Sequence, residues 1–128
     1  MEAVTDKNPV FMLHGHGPSC VWAIWIRLAI RLYAEGFSIV LMDLPGYGRS
    51  TADQKDRVNP KYYMNDAADM IVSVLDTLNI SKVHAVGFCG GAANFIRAMS
   101  IYPNRFALSH VFHNSVIGSI PEQFERAV

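Results

Sequence analysis

The stretch HAVGFCGGAANF, residues 84–95, places a single cysteine, Cys89, between an apolar run and the opening of a helical pattern. A nucleophile presented on a sharp turn from strand to helix sits on a strained backbone, and side chains two positions before or after it would collide with the turn. Gly87 and Gly91 stand at those two positions. Helix amides from Gly90 onward would point at the thiol, and the positive end of the helix dipole favours negative charge on the sulfur. On this reading Cys89 is a reactive nucleophile. A second reading fits the same spacing: a small buried thiol between glycines that let strand and helix pack closely. The G-x-C-x-G spacing alone does not separate them.

Two further turns carry chemistry. In HGHG, residues 14–17, Gly15 and Gly17 would let a backbone amide, most naturally that of His16, reach a developing oxyanion alongside the amide of Gly90. As side chains, His14 and His16 are read as strand-end histidines that hydrogen-bond the loop. No third ligand is spaced to complete a metal site with them, so no metal is expected. DLPGYGRS, residues 43–50, lacks the lysine of a phosphate-cradling loop and has no helix directly behind it. Asp43, Gly46 and Gly48 are therefore expected to build a rigid turn that shapes a pocket. A base for Cys89 is harder to find. His113, at the carboxyl end of the last predicted strand, is a candidate, although a histidine in a buried strand is more often a hydrogen-bonded core residue.

The elements that must hold these turns alternate regularly. Apolar runs at residues 10–14, 37–43, 82–88 and 106–116 read as strands, ended by Gly, Pro or Asp clusters. Between them lie three helical patterns. The first carries Trp22, Trp25, Ile26, Ala29, Ile30 and Tyr33 at helical spacing and stops at Gly36; the second starts near Asn65 or Asp66 and aligns Ala68, Ile71, Val72, Leu75 and Leu78; the third runs from Gly90 to Pro103. Residues 44–60 form a long loop between the second strand and the second helix. Strands alternating with helices imply βαβ crossovers and a parallel sheet of about four strands covered on both faces. Ligand sites of such sheets lie at the carboxyl ends of the strands, where all three turns fall.

Composition excludes several classes. Of 128 residues, 51% are hydrophobic and 17% charged, and no apolar run approaches the length of a membrane span. Eleven basic residues balance eleven acidic ones, so no field favours nucleic acid or an anionic membrane surface, and the expected partner is a small-molecule substrate or ligand, or another protein. No cofactor motif is present and no cofactor is expected. Two cysteines, Cys20 and Cys89, and a start without a basic-then-apolar segment point to a reducing, cytoplasmic setting.

Taken together, VFMLHGHG, GFSIVLMDLPGYGRS, LNISKVHAVGFCGGAANF and IYPNRFALSHVF resemble, in order, the oxyanion strand, the next strand and turn, the nucleophile elbow and the following strand of the α/β-hydrolase superfamily. The likeness is to the branch of esterases, epoxide hydrolases and carbon–carbon bond hydrolases. Serine is the usual elbow residue of that family; the cysteine is similar to the dienelactone hydrolases, whose other turns these are not. The resemblance implies a chain order of nucleophile, acid, histidine. Behind Cys89 that order is inverted, His110 and His113 preceding Glu122 and Glu125. The expected architecture is thus a single α/β domain over residues 1–128 that holds the first two-thirds of the fold. Two functions are implied: hydrolysis of an ester, thioester or lactone through Cys89, or a non-catalytic relative that binds a small apolar ligand or a protein. The implied strand order, second, first, third, fourth, leaves two apolar edges without proline or lysine, an invitation to self-association.

Overall fold

Short runs of branched and aromatic residues with no charge are what a doubly covered strand needs, and each becomes one. The computed structural model describes residues 8–17, 20–50 and 65–113. Strands β1 (Val10–Leu13), β2 (Ile39–Met42), β3 (Val83–Phe88) and β4 (Phe106–His113) form one sheet in the order β2-β1-β3-β4. All three pairings are parallel, as the alternation of strands and helices implies. The central strand is wholly buried: Phe11, Met12 and Leu13 are each 0% exposed. The 51–60 part of the long loop and residues 114–116 of the fourth apolar run lie outside the described residues.

Helices α2 (Asn65–Thr77) and α3 (Gly90–Ile101) cover one face. There Phe11, Leu13, Ile71, Leu75, Phe95 and Phe106 form the larger core, with Phe11 and Phe95 meeting edge to face at 5.4 Å. Helix α2 starts at Asn65, with Asp66 in its first turn, so both residues expected near its start as a cap lie within the helix; Leu78 is half exposed, because the helix has ended one residue before it.

A 3₁₀ turn (Trp22–Trp25) and α1 (Ile26–Ala34) lie on the other face over a smaller core of Val10, Met12, Ala29 and Val86. Here the expected helix face needs correction. Trp25, Ala29 and Leu32 face the sheet, whereas Ile30 is 61% and Tyr33 73% exposed. The segment is apolar on nearly every side, so spacing alone does not choose the face, and the tighter 3₁₀ start rotates the helix behind it. Gly36, with φ 86°, ends α1 as a left-handed C-cap, donating to Tyr33 O.

Candidate active site

The β3–α3 junction turns on one residue. Cys89 has φ 51° and ψ −117°, a conformation costly for any residue with a Cβ and sustained only where the surroundings impose it. They do impose it. A Cβ on Gly87 would lie 2.6 Å from Ala92 Cα, and one on Gly91 would lie 2.6 Å from Leu13 O and 2.5 Å from His14 O. Both positions therefore admit only glycine, as the elbow reading requires. The earliest helical hydrogen bonds of α3 run from the amides of Ala92 and Ala93 to Cys89 O, which leaves the amides of Gly90 and Gly91 ahead of the first intrahelical bond.

The loop after β1 closes over this elbow. A Cβ on Gly15 would stand 3.0 Å from Cys89 Cβ, and the imidazole of His16 occupies the space a Cβ of Gly90 would need. The two residues whose amides were expected to act together, His16 and Gly90, are thus in contact. Gly17 is one residue further out, where a Cβ would come within 3.0 Å of Cys20 Sγ.

His14 is fully buried and spans two elements. Its Nε2 accepts from the amide of Leu44 at 2.9 Å and its Nδ1 donates to Gly15 O at 2.6 Å, which fixes the neutral, Nδ1-protonated tautomer. Burial lowers its pKa, outweighing the opposite pull of the Gly15 carbonyl and Asp43. Asp43 Oδ1 stands 3.9 Å from Nε2, but Nε2 has no proton to offer, so the pair is not an ion pair. Burial, with the neighbouring His14, lowers the pKa of His16 to about 4, so at neutral pH both rings are uncharged. The expectation of loop-bonding histidines holds for His14.

The turn after β2 is held by hydrogen bonds within itself and to its neighbours. Its amide of Tyr47 donates to Leu44 O at 2.9 Å, and Gly46, with φ 80°, takes the third position of this type II turn behind Pro45. The Asp43 carboxylate accepts from the amides of Trp22 (2.7 Å) and Arg49 (2.9 Å), and its carboxyl group fills the space a Cβ on Gly48 would occupy. Asp43 is thus a brace between the turn and the start of the 3₁₀ segment. Tyr47, absent from the candidates that the sequence suggests, is 5% exposed and donates from its hydroxyl to His16 O at 3.0 Å. Its place between Gly46 and Gly48 in PGYG was the available signal.

His113 reaches the elbow through its main chain: its carbonyl accepts from Cys89 N–H at 2.9 Å, while its ring stacks on Phe88 with centroids 5.8 Å apart. Among the described residues no hydrogen bond joins its imidazole to the thiol.

A family model described as the alpha/beta hydrolase fold matches residues 8–118. The chain is 35% identical over 102 residues to a 2-hydroxy-6-oxononadienedioate/2-hydroxy-6-oxononatrienedioate hydrolase of Klebsiella pneumoniae, a match covering 79% of this chain and 34% of that protein. The chain thus spans about a third of the length of the curated relatives it matches. Among solved structures it is similar to a 2-hydroxy-6-oxo-6-phenylhexa-2,4-dienoate hydrolase from Rhodococcus sp. strain RHA1, with TM-score 0.70 and 28% identity over 86% of this chain and 39% of that one. A variant epoxide hydrolase of Vigna radiata shares the fold at TM-score 0.67 and 23% identity, over 83% of this chain and 32% of that one.

Proposed function

We propose, from the premise that this chain belongs to the alpha/beta hydrolase fold family, that it serves the hydrolysis of an ester, thioester or lactone through Cys89 as nucleophile. The observation that carries this reading is the backbone of Cys89, held at φ 51° and ψ −117° between two positions that exclude any side chain. A buried thiol needs no such backbone; a nucleophile that must stand clear of its own strand does.

The reaction follows from the parts. The sulfur of Cys89 attacks the carbonyl carbon, a C–S bond forms, and the carbonyl π pair moves to oxygen. The amides of His16 and Gly90 receive that oxyanion. Collapse expels the alkoxide or thiolate leaving group, which takes a proton, and water then cleaves the resulting thioester and returns the thiol. The base is His113 or a group outside the region that matches the family. The printed names of the relatives specify 6-oxo acids. Their ketone is also a carbonyl electrophile, but it bears no alkoxide or thiolate to expel and its cleavage must break a carbon–carbon bond, so such acids are a separate substrate class to try.

A non-catalytic relative that binds a small apolar ligand or a protein is the competing reading, favoured by the ring of His113 lying on Phe88. Turnover of p-nitrophenyl butyrate separates the two. Hydrolysis by the wild type that falls to background in Cys89→Ala supports the hydrolase; background rates in both leave a binding protein, and equal rates above background mean that another group attacks.

A further inference from the structure

The loop that is to supply an oxyanion donor is Gly15-His16-Gly17, and glycines on both sides make its peptide planes easy to turn over. A turned plane would present a carbonyl oxygen where an N–H is needed, and attraction to the developing charge would become repulsion. Something must hold the planes, and two hydrogen bonds do. In a planar trans peptide C=O and N–H point in opposite directions. The Gly15 carbonyl is held by His14 Nδ1–H at 2.6 Å, so the N–H of His16 faces away from the His14 ring. The His16 carbonyl is held by the Tyr47 hydroxyl at 3.0 Å, so the N–H of Gly17 faces away from Tyr47.

Both restraints end on one rigid piece of backbone. Leu44 donates its amide to His14 Nε2 at 2.9 Å and accepts the amide of Tyr47 on its own carbonyl, also at 2.9 Å. Leu44, Tyr47 and His14 are 2%, 5% and 0% exposed, and the two bonds of the His14 ring are buried. The rings add contact, His14 meeting Tyr47 edge to face at 5.1 Å.

We propose that Tyr47 and His14 are positioning residues, through which the turn after β2 fixes the two peptide planes on either side of His16, and with them the N–H of His16 as the oxyanion donor of this loop. The assignment rests on the hydrolase reading above and names the residues that make its oxyanion site a donor.

Two reagents distinguish positioning from mere packing. Iodoacetamide alkylates Cys89 by displacing iodide and makes no oxyanion. Hexanal forms a reversible hemithioacetal: the sulfur bonds to the carbonyl carbon, the π pair moves to oxygen, and solvent supplies the proton. The hexanal concentration that halves the iodoacetamide labelling rate of Cys89 measures that adduct. Tyr47→Phe deletes one oxygen and keeps the ring. It is expected to leave the labelling rate without hexanal within about twofold of wild type, and to raise the protecting concentration about tenfold, the worth of one well-placed hydrogen bond. His14→Gln, which keeps a donor of altered reach, is expected to do the same or more. Unchanged protection in Tyr47→Phe overturns the positioning role alone, as does a parallel fall in labelling and protection. A wild type whose Cys89 hexanal does not protect overturns the hydrolase reading, and this one with it.

Discussion

The amide of Cys89 donates to the carbonyl oxygen of His113 over 2.9 Å, which ties the end of β4 to the elbow by main chain alone. The His113 side chain is exposed and stacked on Phe88, so replacing it leaves that tie intact and isolates the chemistry of the imidazole. If His113 is the base, His113→Ala lowers p-nitrophenyl butyrate turnover about a hundredfold, within the usual range for a lost general base. The melting temperature should move by no more than a few degrees. Undiminished turnover in His113→Ala assigns the proton transfer elsewhere.

Gly87→Val and Gly91→Val are expected to cost about 3 kcal/mol or more each, because their side chains would strike backbone atoms of Ala92 in one case and of Leu13 and His14 in the other. Gly36→Ala is the comparison: its φ of 86° is unfavourable, yet nothing stands within 4 Å, and the expected cost is about 1 kcal/mol. Urea unfolding ranks the three. A small cost at Gly87 or Gly91, equal to that at Gly36, would mean that the elbow is not closely packed.

Stability should fall with acid in a defined window. The folded pKa of His16 lies at about 4, below the 6.5 of an exposed histidine, and that of His14 is also lowered. Between those values the unfolded chain binds protons that the folded one refuses. The stabilisation is therefore complete above about pH 6.5 and lost as pH falls toward 4, at no more than about 1.4 kcal/mol per pH unit for each histidine. Urea midpoints measured at pH 7.5 and pH 5 check this, and His16→Asn should flatten the slope. An equal slope in His16→Asn would mean that the ring titrates as if exposed.

Among the described residues β2 and β4 each pair with one neighbour only, and beside β4 the sheet face toward α1 is open. A groove of about 610 Å³ there is lined by Val10, Leu28, Leu32, Phe37, His84 and Val111, the last 61% exposed. Parallel strands are normally covered on both faces. The 128-residue chain is accordingly expected to self-associate at micromolar concentration through its edges or this groove, which light scattering detects. A dispersed monomer with a cooperative melt contradicts the expectation.

What was legible in the sequence was what short range decides. Uncharged apolar runs marked the strands, and Gly87, Cys89 and Gly91 marked the elbow, because steric exclusion two residues either side of a tight turn leaves a trace in the spacing itself. The strand order came from resemblance, and the β2-β1-β3-β4 sheet agrees with it. The buried face of α1 was not legible, since Ile30 and Tyr33 are as apolar as the residues that do pack. The braces of the site were invisible for another reason: Leu44 with His14, Tyr47 with His16 and Asp43 with Trp22 join residues 21 to 31 positions apart, and no local pattern announces such partners.

Whether Cys89 is the nucleophile can be read from the sulfur itself. Brief exposure to p-nitrophenyl acetate at neutral pH, an acid quench and peptide mapping by mass spectrometry locate any acyl group, with Cys20 as the internal control in the same chain. An acetyl group is expected on the Cys89 peptide well before any on Cys20, and none there in Cys89→Ala. Acetylation of Cys20 at an equal or greater rate, or no acetyl at Cys89 while the ester is still turned over, would mean that another group attacks.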